Sequence, residues 1–152
     1  MDGKALAARL SKKYDTRDPF RLADEMGFII VFAPLVEMRG FQQRIKRQNI
    51  IYINDGLDDR QQALVCAHEM GHHFMHRGMN RIFMNRNTQF VTQKYENEAN
   101  LFSLELIYPD EDLQLFLNRS ITDAAAYMGV SVQLATWRMQ TVPVPEVDYY
   151  AS

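Results

Sequence analysis

Residues 66–76 read CAHEMGHHFMH, and all four histidines of the 152-residue chain fall inside that stretch. Within it, residues 68–72 form a His-Glu-x-x-His pentad. The apolar approach through Ala63, Leu64, Val65 and Ala67 predicts a helix from about residue 58 to residue 77. Asp58 and Asp59 complement its N-terminus, and Gly78 can cap its end. Positions four apart on a helix lie one turn above each other. His68 and His72 then share a face and can grip one metal ion. Glu69 lies about 100° further round, beside the metal and not on it. A carboxylate there can act as general base toward a water that the metal activates. His73 falls about 140° from His68 and is expected to pack or face solvent. His76 drifts only partly off the ligand face and is expected to support the site or cap the helix, not to bind metal.

Two histidines do not hold zinc firmly, since a catalytic zinc takes three protein ligands and a water. With every histidine accounted for, the third ligand must be a carboxylate. The next long helix, residues 93–107, offers Glu96, Glu98 and Glu105. Glu96 shares its stripe with Ala99, Asn100, Ser103 and Ile107, small and apolar enough to pack against the first helix. Glu98 and Glu105 share another face, read as solvent-side. Amphipathicity therefore favours Glu96 as the ligand, with Glu98 as its alternative. Asn100, one turn beyond Glu96, can accept the N–H of a ligand histidine and fix its tautomer, or can simply fill polar space.

Outward from this pair of helices, the N-terminal half predicts two short helices and three strands. Residues 4–13 form an amphipathic helix with Leu6 and Leu10 on one side. Asp18-Pro19 opens a second helix that stops at Gly27. The apolar run 28–32 reads as a central strand, and residues 38–45 and 49–53 as two more, joined by a turn at 46–48, with Ile50, Ile51, Tyr52 and Ile53 making the last apolar enough to be central as well. Asn54-Asp55-Gly56 is a strong turn. Residues 79–92 read as an irregular loop or poor edge strand. Beyond residue 107, short helices are expected at 110–117, from 122 or 123 to 128, and at 132–140, with a turn at Gly129-Val130-Ser131 and a loosely packed tail at 141–152. The fold class is α+β, mainly helical, with a small sheet in the N-terminal half. A single domain spanning 1–152, with its core at about 4–140, is the expected organisation.

A composition of 47% hydrophobic residues supports one real core, and a net charge of −2 argues against direct nucleic-acid binding. The single cysteine, Cys66, excludes an internal disulfide and a four-cysteine zinc knot. No apolar run reaches membrane-spanning length, and charged residues within 1–10 do not fit a signal peptide. A cytoplasmic monomer is the expectation.

The segments HEMGHHFMH, YENEANLFSLELIYP and YMGVSVQLATWRM resemble the ImmA/IrrE family of bacterial and phage zinc metallopeptidases. The resemblance runs from about residue 49 to residue 138. It implies a compact zincin-like domain with one Zn2+ held by His68, His72 and Glu96, and with Glu69 as catalytic base. It also implies a protein substrate, a helix-turn-helix transcriptional repressor, cleaved in a bacterial host to derepress phage or mobile-element genes. Tyr108 departs from the methionine expected before the proline, a structural position. Tyr95 and Tyr108 are candidate donors to an oxyanion.

Two other functions compete. A non-cleaving anti-repressor module would carry a structural or vestigial metal site, but such a site has no need of Glu69. A DNA-binding regulator could use residues 123–139 as a helix-turn-helix, but its second helix offers only Arg138 as a positive charge.

Overall fold

The structure, a computed structural model, describes residues 2–76 and 89–145, with backbone alone for 89–91. The chain packs as two units, Met1–Ile107 and Tyr108–Ser152. The first unit holds α1 (Gly3–Tyr14), α2 (Pro19–Glu25), β1 (Ile29–Ala33), β2 (Gly40–Ile45), β3 (Gln48–Asn54), α3 (Asp59–Met75) and α4 (Gln89–Ile107). The second holds α5 (Asp110–Leu113), a 3-10 turn (Gln114–Phe116), α6 (Ile121–Met128) and α7 (Val132–Gln140). The fold is α+β and mainly helical, as the sequence predicts.

Local chemistry starts three helices of the first unit. Asp2 caps α1 through Lys4 N, and Asp18 caps α2 through Phe20 N, with Pro19 in the first turn. Asp58 accepts from Gln61 N at 2.8 Å and opens α3. Such caps satisfy amide groups that the helix itself leaves unpaired. Gly27, at φ +80°, takes the left-handed conformation that ends α2 and turns the chain into β1.

The sheet runs β1-β3-β2, with β1 parallel and β2 antiparallel to β3. The central strand is therefore β3, whose Ile51 and Ile53 are fully buried. The expectation that the run at 28–32 is central is corrected: β1 is an edge strand of the described sheet, and its Ile29 and Phe32 are exposed. An apolar run alone does not distinguish a central strand from an edge strand. The hairpin turn is also tighter than 46–48. Gln48 pairs with Ile45, and Lys46 and Arg47 make a two-residue turn with φ of 50° and 68°, the geometry that matches strand twist. Asn54, at the end of β3, pins the loops around it. Its side-chain amide donates to Leu35 O and Met38 O, and its Oδ1 accepts from Gly56 N.

Helix α3 packs along α4 over the sheet, and their shared core includes Met70, Phe102, Leu106 and Ile51. Gly71 sets the spacing of the two helices. A Cβ there would lie 2.9 Å from Phe102 Cδ1 and 3.4 Å from the Ala99 Cα. Arg17 closes the far end of α4 by donating to the carbonyls of Glu105 and Leu106.

Three further expectations change. Helix α4 begins at Gln89, so 89–92 are helical; residues 79–88 and the cap at Gly78 lie outside the described residues. Glu105 is buried and not solvent-side; it lies beside Gly3, at the N-terminus of α1, where the helix dipole favours a carboxylate. The start of the tail is packed, since Val142 is buried and Gln114 donates to Pro143 O.

In the second unit, Ser120 and Ser131 cap α6 and α7, and Gly129 turns between them at φ +73°. Arg138 points inward. It is 1% exposed and donates to Tyr108 O, Asp110 Oδ1 and Thr141 Oγ1. The one cation of α7 is thus spent inside the unit and cannot meet a phosphate, which removes the charge that DNA reading through this helix requires. No described helix is long and apolar enough to cross a membrane.

Candidate metal centre

Helix α3 carries His68, Glu69 and His72, with His76 at its C-terminal cap, and α4 carries Glu96, Glu98 and Asn100. The close approach at Gly71 brings the two rows together. His68 Nε2 lies 2.9 Å from Glu96 Oε2, and His72 Nε2 lies 2.9 Å from Glu96 Oε1. The three residues present ligand atoms all within 4.8 Å of one another, the one such cluster among the described residues. Glu96, and not Glu98, faces both imidazoles.

The electrostatics follow from this contact. Burial by itself pushes the His68 pKa down, but the hydrogen bond and charge of Glu96 outweigh it and the net shift is upward. Burial likewise raises the Glu96 carboxyl, yet the two imidazoles more than reverse this and hold it well below the usual carboxylate range.

Each imidazole is also held from behind. His68 Nδ1 lies 2.7 Å from Asn100 Oδ1, an acceptor for the ring N–H. His72 Nδ1 lies 2.8 Å from His76 Nδ1, and His76 Nε2 lies 3.0 Å from Glu98 Oε2. Glu98 is therefore more than a solvated charge; partly exposed, it is partner to a buried histidine. Tyr95 packs its ring on His76, with centroids 4.6 Å apart. His76 has its pKa lowered by burial, against the opposing pull of Glu98. His73 turns away and packs edge-on against Phe28. Tyr108 belongs to the second unit, where its hydroxyl donates to Met128 O.

Glu69 is buried beside the cluster. Gln42, from β2, donates its amide to Glu69 Oε2 at 2.9 Å and to Glu69 O at 2.7 Å. Sequence reasoning misses Gln42: nothing local marks a glutamine in a strand 27 residues away as a partner of the pentad. Cys66, in the same helix, is fully buried, and burial with the charges of Asp18 and Glu69 pushes its thiol up to about 12. It is an inert core residue.

Two imidazoles and a carboxylate, each imidazole backed by an outer partner, form a donor set that suits zinc. Zinc bonds such atoms at about 2.0–2.2 Å, so a single ion can reach all three.

The family model described as the IrrE N-terminal-like domain, a peptidase family, matches residues 23–140. An uncharacterized immunity region protein of Bacillus phage phi105 is 38% identical over 135 residues, covering 87% of this chain and 85% of that protein. Metallopeptidase ImmA of Bacillus subtilis is 28% identical over 137 residues, covering 86% of this chain and 80% of its own.

Proposed function

This chain belongs to the IrrE N-terminal-like metallopeptidase family, and from that membership we propose that it is a zinc endopeptidase acting on a transcriptional repressor. The observation that carries the reading is the convergence of the His68 and His72 Nε2 atoms on the two oxygens of Glu96, at 2.9 Å each. His68, His72 and Glu96 hold the ion, and Glu69 is the base.

Bound zinc supplies Lewis acidity, polarising the scissile carbonyl and acidifying a water. Glu69 takes the proton from the attacking water and delivers it to the leaving amine. Gln42 holds Glu69 Oε2, which leaves Oε1 for that transfer. Asn100 and His76 keep the two imidazoles in position. Among the described residues the outer edge of β2 pairs with no other strand. An extended peptide can add there by main-chain hydrogen bonds, next to the Gln42–Glu69 contact. The likeness to an immunity region protein of a phage supports a repressor as the substrate, and cleavage of it would derepress phage or mobile-element genes.

The test uses the zinc-loaded protein and candidate helix-turn-helix repressors from the same genome, with products read by mass spectrometry. Cleavage at a defined bond by wild type, and none by Glu69→Gln, is the expected result. A repressor left uncut yet disarmed equally by both proteins would instead make the chain a non-cleaving binding module.

A further inference from the structure

We propose that His76 and Glu98 form an outer relay that fixes the tautomer and the ring orientation of His72, so that its metal affinity depends on a carboxylate that does not touch the metal. The inference rests on the zinc reading above and deepens it.

With an ion in place of a proton on His72 Nε2, the chain of contacts leaves one arrangement of protons. Glu98 is an acceptor when ionised, so its Oε2, 3.0 Å from His76 Nε2, requires the proton there. A neutral His76 protonated at Nε2 has a lone pair at Nδ1. That lone pair faces His72 Nδ1 at 2.8 Å, so His72 must donate through Nδ1–H. The remaining nitrogen of His72, Nε2, faces Glu96 Oε1 at 2.9 Å and is then the one whose proton a bound ion would replace. Glu98 sets the tautomer of His72 through an intervening imidazole. His68 reaches the same state by a shorter route, through Asn100 Oδ1 at 2.7 Å.

Burial makes the relay rigid. The His76 side chain is 5% exposed, and its ring lies between those of His72 and Tyr95, with centroids 5.0 and 4.6 Å away. Water therefore has little access with which to replace His76 Nδ1 as acceptor. Glu98 comes from α4, two residues beyond Glu96, so one helix supplies a ligand to the ion and the outer anchor of another ligand. Partners that orient a ligand in this way typically change metal affinity about 10–100-fold.

The test is competition for zinc against a chromophoric chelator, on the full chain, for wild type, His76→Phe, Glu98→Ala, Glu98→Gln and His73→Phe. His76→Phe keeps a ring between His72 and Tyr95 but removes both nitrogens. Its affinity is expected to fall about 10–100-fold. Glu98→Ala is expected to fall several-fold. Glu98→Gln, which keeps an oxygen acceptor, recovers most of the loss, and His73→Phe matches wild type. In each case the metal-free melting temperature is measured too, and a loss of affinity without a matching loss of stability separates positioning from simple packing. The 15N shifts of His72 in the zinc-loaded wild type should report a protonated Nδ1. Affinities of His76→Phe and Glu98→Ala within twofold of wild type would overturn the relay. Should His76→Phe not fold, Glu98→Ala decides alone, since the Glu98 side chain is 39% exposed and its loss leaves the core intact. A wild type that does not bind zinc would overturn the metal reading itself, a result distinct from a relay without effect.

Discussion

Gln42 on β2 holds Glu69 on α3 at two points, donating to its Oε2 at 2.9 Å and to its carbonyl oxygen at 2.7 Å. One amide thus fixes both the backbone and the carboxylate of the residue assigned as base, and locks the edge strand to the metal-site helix. Gln42→Leu is expected to lower kcat about 10-fold, a part of the roughly 10²–10⁴ that a positioned base contributes. Zinc content should be unchanged, because the residue that Gln42 holds, Glu69, is not one of the three ligands. Single-turnover cleavage and metal analysis of the same preparation check both halves. An unchanged rate would mean that Glu69 is held well enough by its helix alone.

The spacing of α3 and α4 depends on Gly71. Gly71→Ala places a methyl group 2.9 Å from Phe102 Cδ1, with the Ala99 backbone behind it. Overpacking of this kind costs about 1–3 kcal/mol, offset by the ~1 kcal/mol that alanine contributes in a helix. The expected result is a net loss of about 1 kcal/mol, read from chemical denaturation. Zinc affinity should fall too, since α4 carries Glu96 away from the two imidazoles as it yields. A variant as stable as wild type, with full affinity, would show that Phe102 moves aside freely.

The shifts at His68 and Glu96 make the metal-free and zinc-loaded proteins respond to pH in opposite directions. The His68 pKa is raised above its ordinary 6.5, so its contribution to metal-free stability is full below that value and is lost as pH rises through the folded pKa. The Glu96 pKa is depressed below 4.5, so its contribution is present above that value and is lost only in strong acid. Zinc needs both imidazoles unprotonated, and its binding strengthens as pH rises. The difference in melting temperature between zinc-loaded and metal-free protein should therefore widen from about pH 6 to about pH 8. In Glu96→Gln the metal-free protein should lose most of its slope. A gap that narrows with rising pH would contradict this linkage.

Much of the site can be read from the sequence because helical periodicity alone places it. His68, His72 and Glu69 follow from one helix, and the small stripe of Glu96, Ala99 and Asn100 marks the face of α4 that packs on it. The His76–Glu98 and Gln42–Glu69 contacts cannot be read that way. The first needs the relative rotation of two helices, which is set by the close packing of Gly71 on Phe102. The second needs the register of β2 against β3, where Gln42 pairs with Ile51. The sequence reads both the run at 28–32 and β3 as apolar enough to be central, and only pairing decides that β3 has neighbours on both sides. Glu105 reads as solvent-side by helical face, yet α1 covers that face.

The central assignment is one zinc ion on His68, His72 and Glu96, with Glu69 beside it. Metal analysis of protein purified without added metal or an affinity-tag histidine run tests it most directly. About one zinc per chain is predicted in wild type and in Glu69→Gln, and loss of it in His72→Ala and Glu96→Ala. No zinc in wild type, even after zinc is offered at neutral pH, or full retention in Glu96→Ala, would contradict it.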